Sequence, residues 1–496
     1  MSQESNIEIL KNIPAVDKIL NWTEIKELES KIEHTHLLAI IRSKTDEFRE
    51  KLLSGGKFEI DHLKQMILEE IKYLTEPYFR YAVNGLGIVL HTGLGRAPFS
   101  KGIADILRDA SNAYSRLQID DEGKRDDRYK KISKLLQILT GCEAGIIVNN
   151  NAGATLLILS ALAKGKEVIV SRGQLIEIGG SFRIPDIMAQ SGCIMREVGT
   201  TNRTHLKDYE QAINENTGAL LRVHQSNYRM SGFTKEVSLE ELVQLGKKYK
   251  IPVVDDLGSG ALIDLSKYGL PKEPMVQESI KIGADIVCFS GDKLIGGPQC
   301  GIIIGKKELI EKIKKHPLTR ALRCDKITNA ALEATLQMFL HKEEDLIKEH
   351  RVMSLLLKPL KEIKSQANGV ARKLKKEYSS ILDIEVKSAK SEIGGGSLST
   401  EELPTFVVAI KPKTEKNPPP RHKDTEKSPR KDSVTSATQC LCGEKVLSSQ
   451  ELAKLLRQYK TPIFGRVAEN SLLLDFRTIL KGEEKIILQA FKDILQ

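Results

Sequence analysis

The sequence predicts an α/β protein: a large domain on a mostly parallel sheet, a helical N-terminal domain before it and a small α+β C-terminal domain after it. Three observations predict this. Between about 85 and 310, short β-rich runs at 145–148, 167–170, 219–223, 252–254, 285–289 and 301–304 alternate with helical stretches. Those runs are almost continuously apolar, as strands covered by helices on both faces must be. The chain's 496 residues also exceed what one core usually organises.

Residues 1–80 form the first predicted domain. Leu37, Ile40, Ile41 and then Leu63, Met66, Ile67, Ile71, Leu74 recur at helical spacing, with a break at Ser54-Gly55-Gly56. The large domain spans 81–325. Residues 326–496 are predicted as a linking helix over 326–377, a Gly-rich loop at 394–396, a strand at 406–410 and a final mixed segment. Within it, 411–436 is a run of Pro, Lys, Ser and Thr with almost no apolar residues, which predicts a disordered insertion.

Composition narrows the function. Aromatic residues make up 5% of the chain and Trp22 is the single tryptophan, which argues against a base-stacking platform. No apolar run reaches the roughly 20 residues of a membrane helix, and the N-terminus lacks a signal-peptide pattern, so a cytoplasmic location without a membrane partner is expected. Cys142, Cys193, Cys288, Cys300 and Cys324 read as buried thiols. Cys440 and Cys442 have half the spacing of a metal site with no second ligand pair nearby, so no metal is expected. The net charge of +10 is not spread evenly: 306–377 holds 18 Lys/Arg against 10 Asp/Glu, whereas 1–80 holds 12 against 15. Net charge alone therefore does not make the N-terminal domain a nucleic-acid binder.

The most telling segment is Ser290-Gly291-Asp292-Lys293 followed by Gly296-Gly297. A lysine just past a buried strand, among small residues, is poorly solvated, which favours the neutral amine that forms a Schiff base with an aldehyde cofactor. Ser290 is placed to reach the cofactor's phosphate. Upstream, Asp255-Asp256 end another buried strand, and one carboxylate would pair with a pyridinium nitrogen. Asp256 is favoured, although alternation establishes only that the two face opposite ways. Further upstream, Asn151-Ala152-Gly153 open an apolar helix, whose free amides suit a phosphate. Phosphate loop, aspartate and lysine follow one another at strand ends in the order of fold-type I pyridoxal-phosphate enzymes.

With these residues in hand, the sequence resembles the bacterial selenocysteine synthases, the L-seryl-tRNA(Sec) selenium transferases, over nearly its whole length. The resemblance is carried by Asn84-Gly85 through Pro98, Ser171-Arg172-Gly173-Gln174, Glu177 through Pro185, Val198 through Thr204, His224 through Thr234, the Lys293 segment, and Gly394 through Leu398 ahead of Glu402-Leu403-Pro404-Thr405. It implies that a serine esterified to a selenocysteine tRNA loses its hydroxyl and gains selenium from selenophosphate, with Lys293 as the base. By the same resemblance Arg96, Arg320 and Arg323 hold the selenium donor's phosphate. Arg320 and Arg323 are spaced to share one face of a helical turn. The N-terminal domain would grip the tRNA, and the assembly would be a homo-oligomeric ring of dimers, a decamer, with Thr200, Thr201 and Asn202 at subunit contacts. Asp126 and Asp127, and the 411–436 insertion, depart from the family pattern. The alternatives are a related pyridoxal-phosphate lyase acting on a small amino acid or amino-sugar phosphate, and a tRNA-binding protein without catalysis.

Overall fold

The computed structural model describes residues 10–55, 58–178, 182–226, 228, 230–396, 401–413 and 447–495. The chain divides into two units, Met1–Tyr81 and Ala82–Gln496. In the first, helices Val16–Leu20, Thr23–Glu29, His34–Leu53 and Ile60–Thr75 close around Ile19, Ile25, Leu37, Ile41, Phe48, Leu63, Ile67 and Ile71. Their spacing gives each long helix one apolar stripe, and burying those stripes against one another is what stabilises so small a unit. The third helix ends at Leu53, and Gly55 follows at φ 97°, a left-handed conformation that glycine adopts without strain. Leu74, expected in the stripe, is 57% exposed because it falls in the last turn before the helix stops at Thr75.

The second unit contains fourteen described strands. They are β1 (Val83–Gly85), β2 (Ala144–Val148), β3 (Glu167–Ser171), β4 (Glu177–Ile178), β5 (Phe182–Arg183), β6 (Ile194–Val198) and β7 (Thr217–Val223), followed by β8 (Val253–Gly258), β9 (Ile286–Ser290), β10 (Gly301–Gly305), β11 (Leu382–Glu392), β12 (Glu402–Pro412), β13 (Ile463–Ala468) and β14 (Ser471–Asp475). A seven-stranded sheet runs in the order β2-β10-β9-β8-β7-β3-β6. Within it β3 pairs in parallel with β6 and β7, and β8 with β7 and β9, while β10 runs antiparallel to both of its neighbours. That reversal follows from chain length, since only residues 291–300 separate β9 from β10 and a parallel crossover needs about a dozen or more. β6 escaped the sequence reading because, as an edge strand, it exposes Ile194, Arg196 and Glu197 and carries no apolar run. The helix Asn151–Ala163 packs on this sheet beneath the helices Ile184–Gln190 and Lys307–Lys315, and its apolar residues all round fit a helix covered on every side.

The C-terminal sheet is ordered β1-β13-β14-β12-β11 and is backed by helices Leu360–Tyr378, Ser449–Gln458 and Glu483–Leu495. The predicted 81–325 segment is therefore not one piece. Its first strand, β1, pairs in parallel with β13, and Val83 is buried in the C-terminal core. The expected linking helix over 326–377 is four helices, Lys326–Met338, Glu343–Glu349, Arg351–Leu356 and Leu360–Tyr378. His350 caps the third and Pro359 stands at the start of the fourth. Residues 411 and 412 belong to β12, while 414–436, with Cys440 and Cys442, lie outside the described residues.

The five other cysteines are free and buried. Among the described residues no helix is long and apolar enough to cross a membrane, and no cluster of His, Cys, Asp and Glu is placed to hold a metal.

Candidate active site

Three loops leave neighbouring strand ends of the large sheet. At the start of β10, Gly301 pairs with Val148 of β2 on one side and Ser290 of β9 on the other, so the Asn149-Asn150 loop and the lysine loop flank it. A Cβ at Gly301 would stand 2.2 Å from the Asn150 carbonyl, so only glycine allows this approach. The lysine loop is pinned by Gly291 N–H on the Cys300 carbonyl (2.9 Å), Gly297 N–H on the Gly291 carbonyl (2.8 Å) and Gly296 N–H on the Lys293 carbonyl (2.9 Å).

Lys293 is 4% exposed, and its Nζ lies 3.8 Å from the position a Cβ on Gly258 would take, at the end of β8. Burial pushes its amine below the ordinary lysine value and the Arg96 guanidinium pushes the same way, against the pull of Asp256, Asp292 and Glu273. A lysine held toward neutrality inside the protein is a nucleophile, whereas an exposed one is a solvated cation. The two aspartates separate as strand alternation requires. Asp255 Oδ1 pairs with Arg222 Nη1 at 2.8 Å and its Oδ2 accepts from Ser279 Oγ at 2.7 Å, on the face away from the helix Asn151–Ala163. Asp256 turns toward that helix and accepts from Asn151 Nδ2 at 2.8 Å and Thr155 Oγ1 at 2.9 Å. Burial raises its pKa, while these two donors, the Gly258 amide and the Lys293 charge oppose the rise.

The helix start differs in detail from the sequence expectation. Asn150 caps it, its Oδ1 accepting from Gly153 N–H at 2.7 Å, so Gly153 does not offer a free amide. Asn151 and Ala152 open the helix, and Ser290 is the buried last residue of β9. Asn151 Oδ1, Ser226 Oγ, Ser259 Oγ and Glu273 Oε1 are buried polar atoms without a partner among the described residues. All four belong to the loops and the helix start at these strand ends or to the lysine's electrostatic surroundings. Buried groups left this way cost about 1–3 kcal/mol each, which marks a pocket shaped for polar contents.

Arg96, at φ 59°, places Nη1 2.7 Å from Asp292 Oδ2, one residue before the lysine. The pair borders a cleft of ≈ 320 Å³ that Thr92, Gly95, Gly297 and Pro298 also line. Arg320 and Arg323 are exposed and form no ion pair among the described residues. They do not share a helical face: the helix Leu318–Ala321 has only four residues, and the chain turns at Leu322 before Arg323. Leu322 nevertheless ties the two arginines to the site, because its carbonyl accepts from Asn149 N–H at 2.9 Å. Asp126 and Asp127 bond Lys130 and Lys314, so their charge is locally balanced. In the Thr200–Asn202 turn, Thr200 bonds the Arg203 carbonyl and Asn202 Nδ2 the Phe233 carbonyl.

Sequence reasoning missed Thr155, whose signal was its place one helical turn beyond Asn151. It also missed the pair of His224 Nε2 and Glu273 Oε2, 3.0 Å apart. Nothing in a linear pattern joins residues so distant in the chain.

The family model described as L-seryl-tRNA selenium transferase matches residues 82–430. The chain is 44% identical over 503 residues to the L-seryl-tRNA(Sec) selenium transferase of Alkaliphilus oremlandii, covering 99% of each. It is 42% identical over 489 residues to that of Aquifex aeolicus, covering 98% of this chain and 99% of the relative. Among solved structures, a D-glucosaminate-6-phosphate ammonia-lyase superposes with a TM-score of 0.52 at 18% identity, over 85% of this chain and 98% of its own, which speaks for a shared fold.

Proposed function

The chain belongs to the L-seryl-tRNA selenium transferase family, and from that premise we propose that it converts seryl-tRNA(Sec) to selenocysteinyl-tRNA(Sec) with pyridoxal phosphate as cofactor. The observation that carries this reading is Lys293, a buried amine held toward neutrality at a strand end beside the carboxylate Asp256. The pocket fits the cofactor: its orphaned polar atoms need partners, and Asp256 is held by Asn151 at a helix start whose Asn151 and Ala152 amides suit a phosphate.

Lys293 would hold the cofactor through Nζ, Asp256 its ring nitrogen, and Ser290 with the Asn151-Ala152 amides its phosphate; Gly153, whose amide serves the cap, would admit the ring by being small. When bound, pyridoxal phosphate supplies an electron sink that makes a substrate α-proton removable and a β-hydroxyl expellable. Asn151 and Thr155 donate to Asp256 and hold it as an oriented anion. Lys293 Nζ takes the α-proton as general base, its neutrality being the condition for that role. Arg96, Arg320 and Arg323 present planar donor pairs to the phosphate of selenophosphate.

The N-terminal helical unit binds the tRNA through local patches, because its net charge is not basic. The protein works in the cytoplasm as a homo-oligomeric ring of dimers. A small-molecule lyase remains the alternative on fold likeness alone, and fold does not determine substrate. A single-turnover assay with seryl-tRNA(Sec) and selenophosphate, following the cofactor's visible spectrum and the aminoacyl product together, tests the reading. Formation of selenocysteinyl-tRNA supports it, and a spectrum that ignores seryl-tRNA overturns it.

A further inference from the structure

Behind the lysine loop lies His350, 2% exposed, at the junction of the helices Glu343–Glu349 and Arg351–Leu356. Both ring nitrogens are engaged. Nδ1 accepts from Met353 N–H at 3.3 Å as the cap of the second helix, so the proton resides on Nε2, which donates to the Ile295 carbonyl at 2.7 Å. The ring packs edge-on against Phe339 with centroids 5.3 Å apart. It fills the space a side chain at position 296 would need: a Cβ on Gly296, at φ 66°, would stand 2.2 Å from His350 Cε1. The residue held by His350 is thus next to Gly296, whose N–H holds the Lys293 carbonyl. Leu294, on the other side, is buried among Val352, Met353, Leu355 and Leu356 of the same helix.

We propose that His350 is a positioning residue for Lys293: by holding the Ile295 carbonyl it fixes the turn that aims the lysine amine. The imidazole acts through the loop and makes no contact with substrate. A buried, doubly bonded ring is stiff, and the aim of a reacting amine is sensitive to displacements of about 1 Å. The inference rests on Lys293 being the cofactor lysine.

The two ring bonds can be separated by substitution. In His350→Asn the amide oxygen can keep the helix cap while the tie to Ile295 is lost, and in His350→Gln the longer amide can restore that tie. Thermal midpoint, kcat and KM are measured for each. So is the rate at which the apoprotein takes up pyridoxal phosphate at Lys293, read by mass spectrometry after borohydride reduction. The expected result is a kcat and an uptake rate lowered about ten- to a hundred-fold in His350→Asn with KM unchanged, and recovery of most of both in His350→Gln. Gly296→Ala, which presses on the ring from the loop side, gives a second reading if His350→Asn does not fold, with the same loss expected. Wild-type kcat in a folded His350→Asn, equal losses in both His350 variants, or wild-type kcat in Gly296→Ala overturns the proposal. Lys293→Ala is the control for the underlying reading: activity there removes Lys293 from its role whatever His350 does.

Discussion

At the scale of single residues, the site depends on charges kept under control by burial. Lys293→Ala is expected to abolish the visible absorption of the bound cofactor while leaving the far-ultraviolet circular dichroism unchanged, and a retained band would remove Lys293 from its assigned role. Asp256→Asn keeps the shape of a carboxylate that Asn151 and Thr155 hold, but loses its charge. Turnover should fall about 100-fold or more, the scale of losing one preorganised electrostatic partner, with seryl-tRNA affinity nearly intact. Arg320→Ala should spare the cofactor spectrum and block selenium addition, and full product formation by this variant would refute its part in holding the donor. The lysine was legible in the sequence because glycines and an apolar strand surround it. The choice between Asp255 and Asp256 was not, since period-two alternation separates neighbours without saying which face holds the cofactor. The partners Arg222 and Asn151, which give the two carboxylates different surroundings, are brought in by tertiary structure.

Among elements, the parallel core could be read because buried strands need apolar residues on both faces. The reversal of β10 could also have been foreseen from the shortness of the loop before it. The 326–377 stretch misled because its basic, helix-favouring composition hides three interruptions, at 339–342, His350 and 357–359. In the last of these, Lys358 donates to the carbonyls of Phe476 (2.8 Å) and Ile479 (3.2 Å), tying the helices to the turn after β14. Burial lowers its pKa from 10.5 to about 8, although Glu362, Glu484 and Asp475 oppose the shift. Below about 8 the amine is charged in both the folded and the unfolded chain, and its burial is a standing cost. As pH rises from about 8 toward 10.5, the folded state sheds the proton before the unfolded one, so folding is favoured by that difference. Urea denaturation of wild type and Lys358→Met across this window should show the wild type gaining on the variant as pH rises. A constant difference would mean that the amine titrates alike in both states.

For the whole molecule, the separation of Met1–Tyr81 from Ala82–Gln496 predicts that removing residues 1–81 leaves a folded protein that still binds pyridoxal phosphate but no longer binds seryl-tRNA in a gel-shift assay. Unchanged tRNA affinity in the shortened chain would move the binding surface elsewhere. The helical first unit was legible from its three-and-four spacing, since each helix buries its stripe locally. The boundary after it was harder, because β1 looks in the sequence like the beginning of the large sheet and is instead the edge of the C-terminal one. That pairing has a consequence for how the chain is made. Val83 meets Ile463 across about 380 intervening residues, so on the ribosome β1 must wait, unpaired, until residue 463 has emerged. The N-terminal helices and the large sheet, whose strands are complete by Gly305, can assemble before the C-terminal sheet closes. A nascent chain stalled before residue 463 would therefore hold β1 without its partner strand, and the shortness of β1, three residues, limits what an unpaired edge could recruit meanwhile.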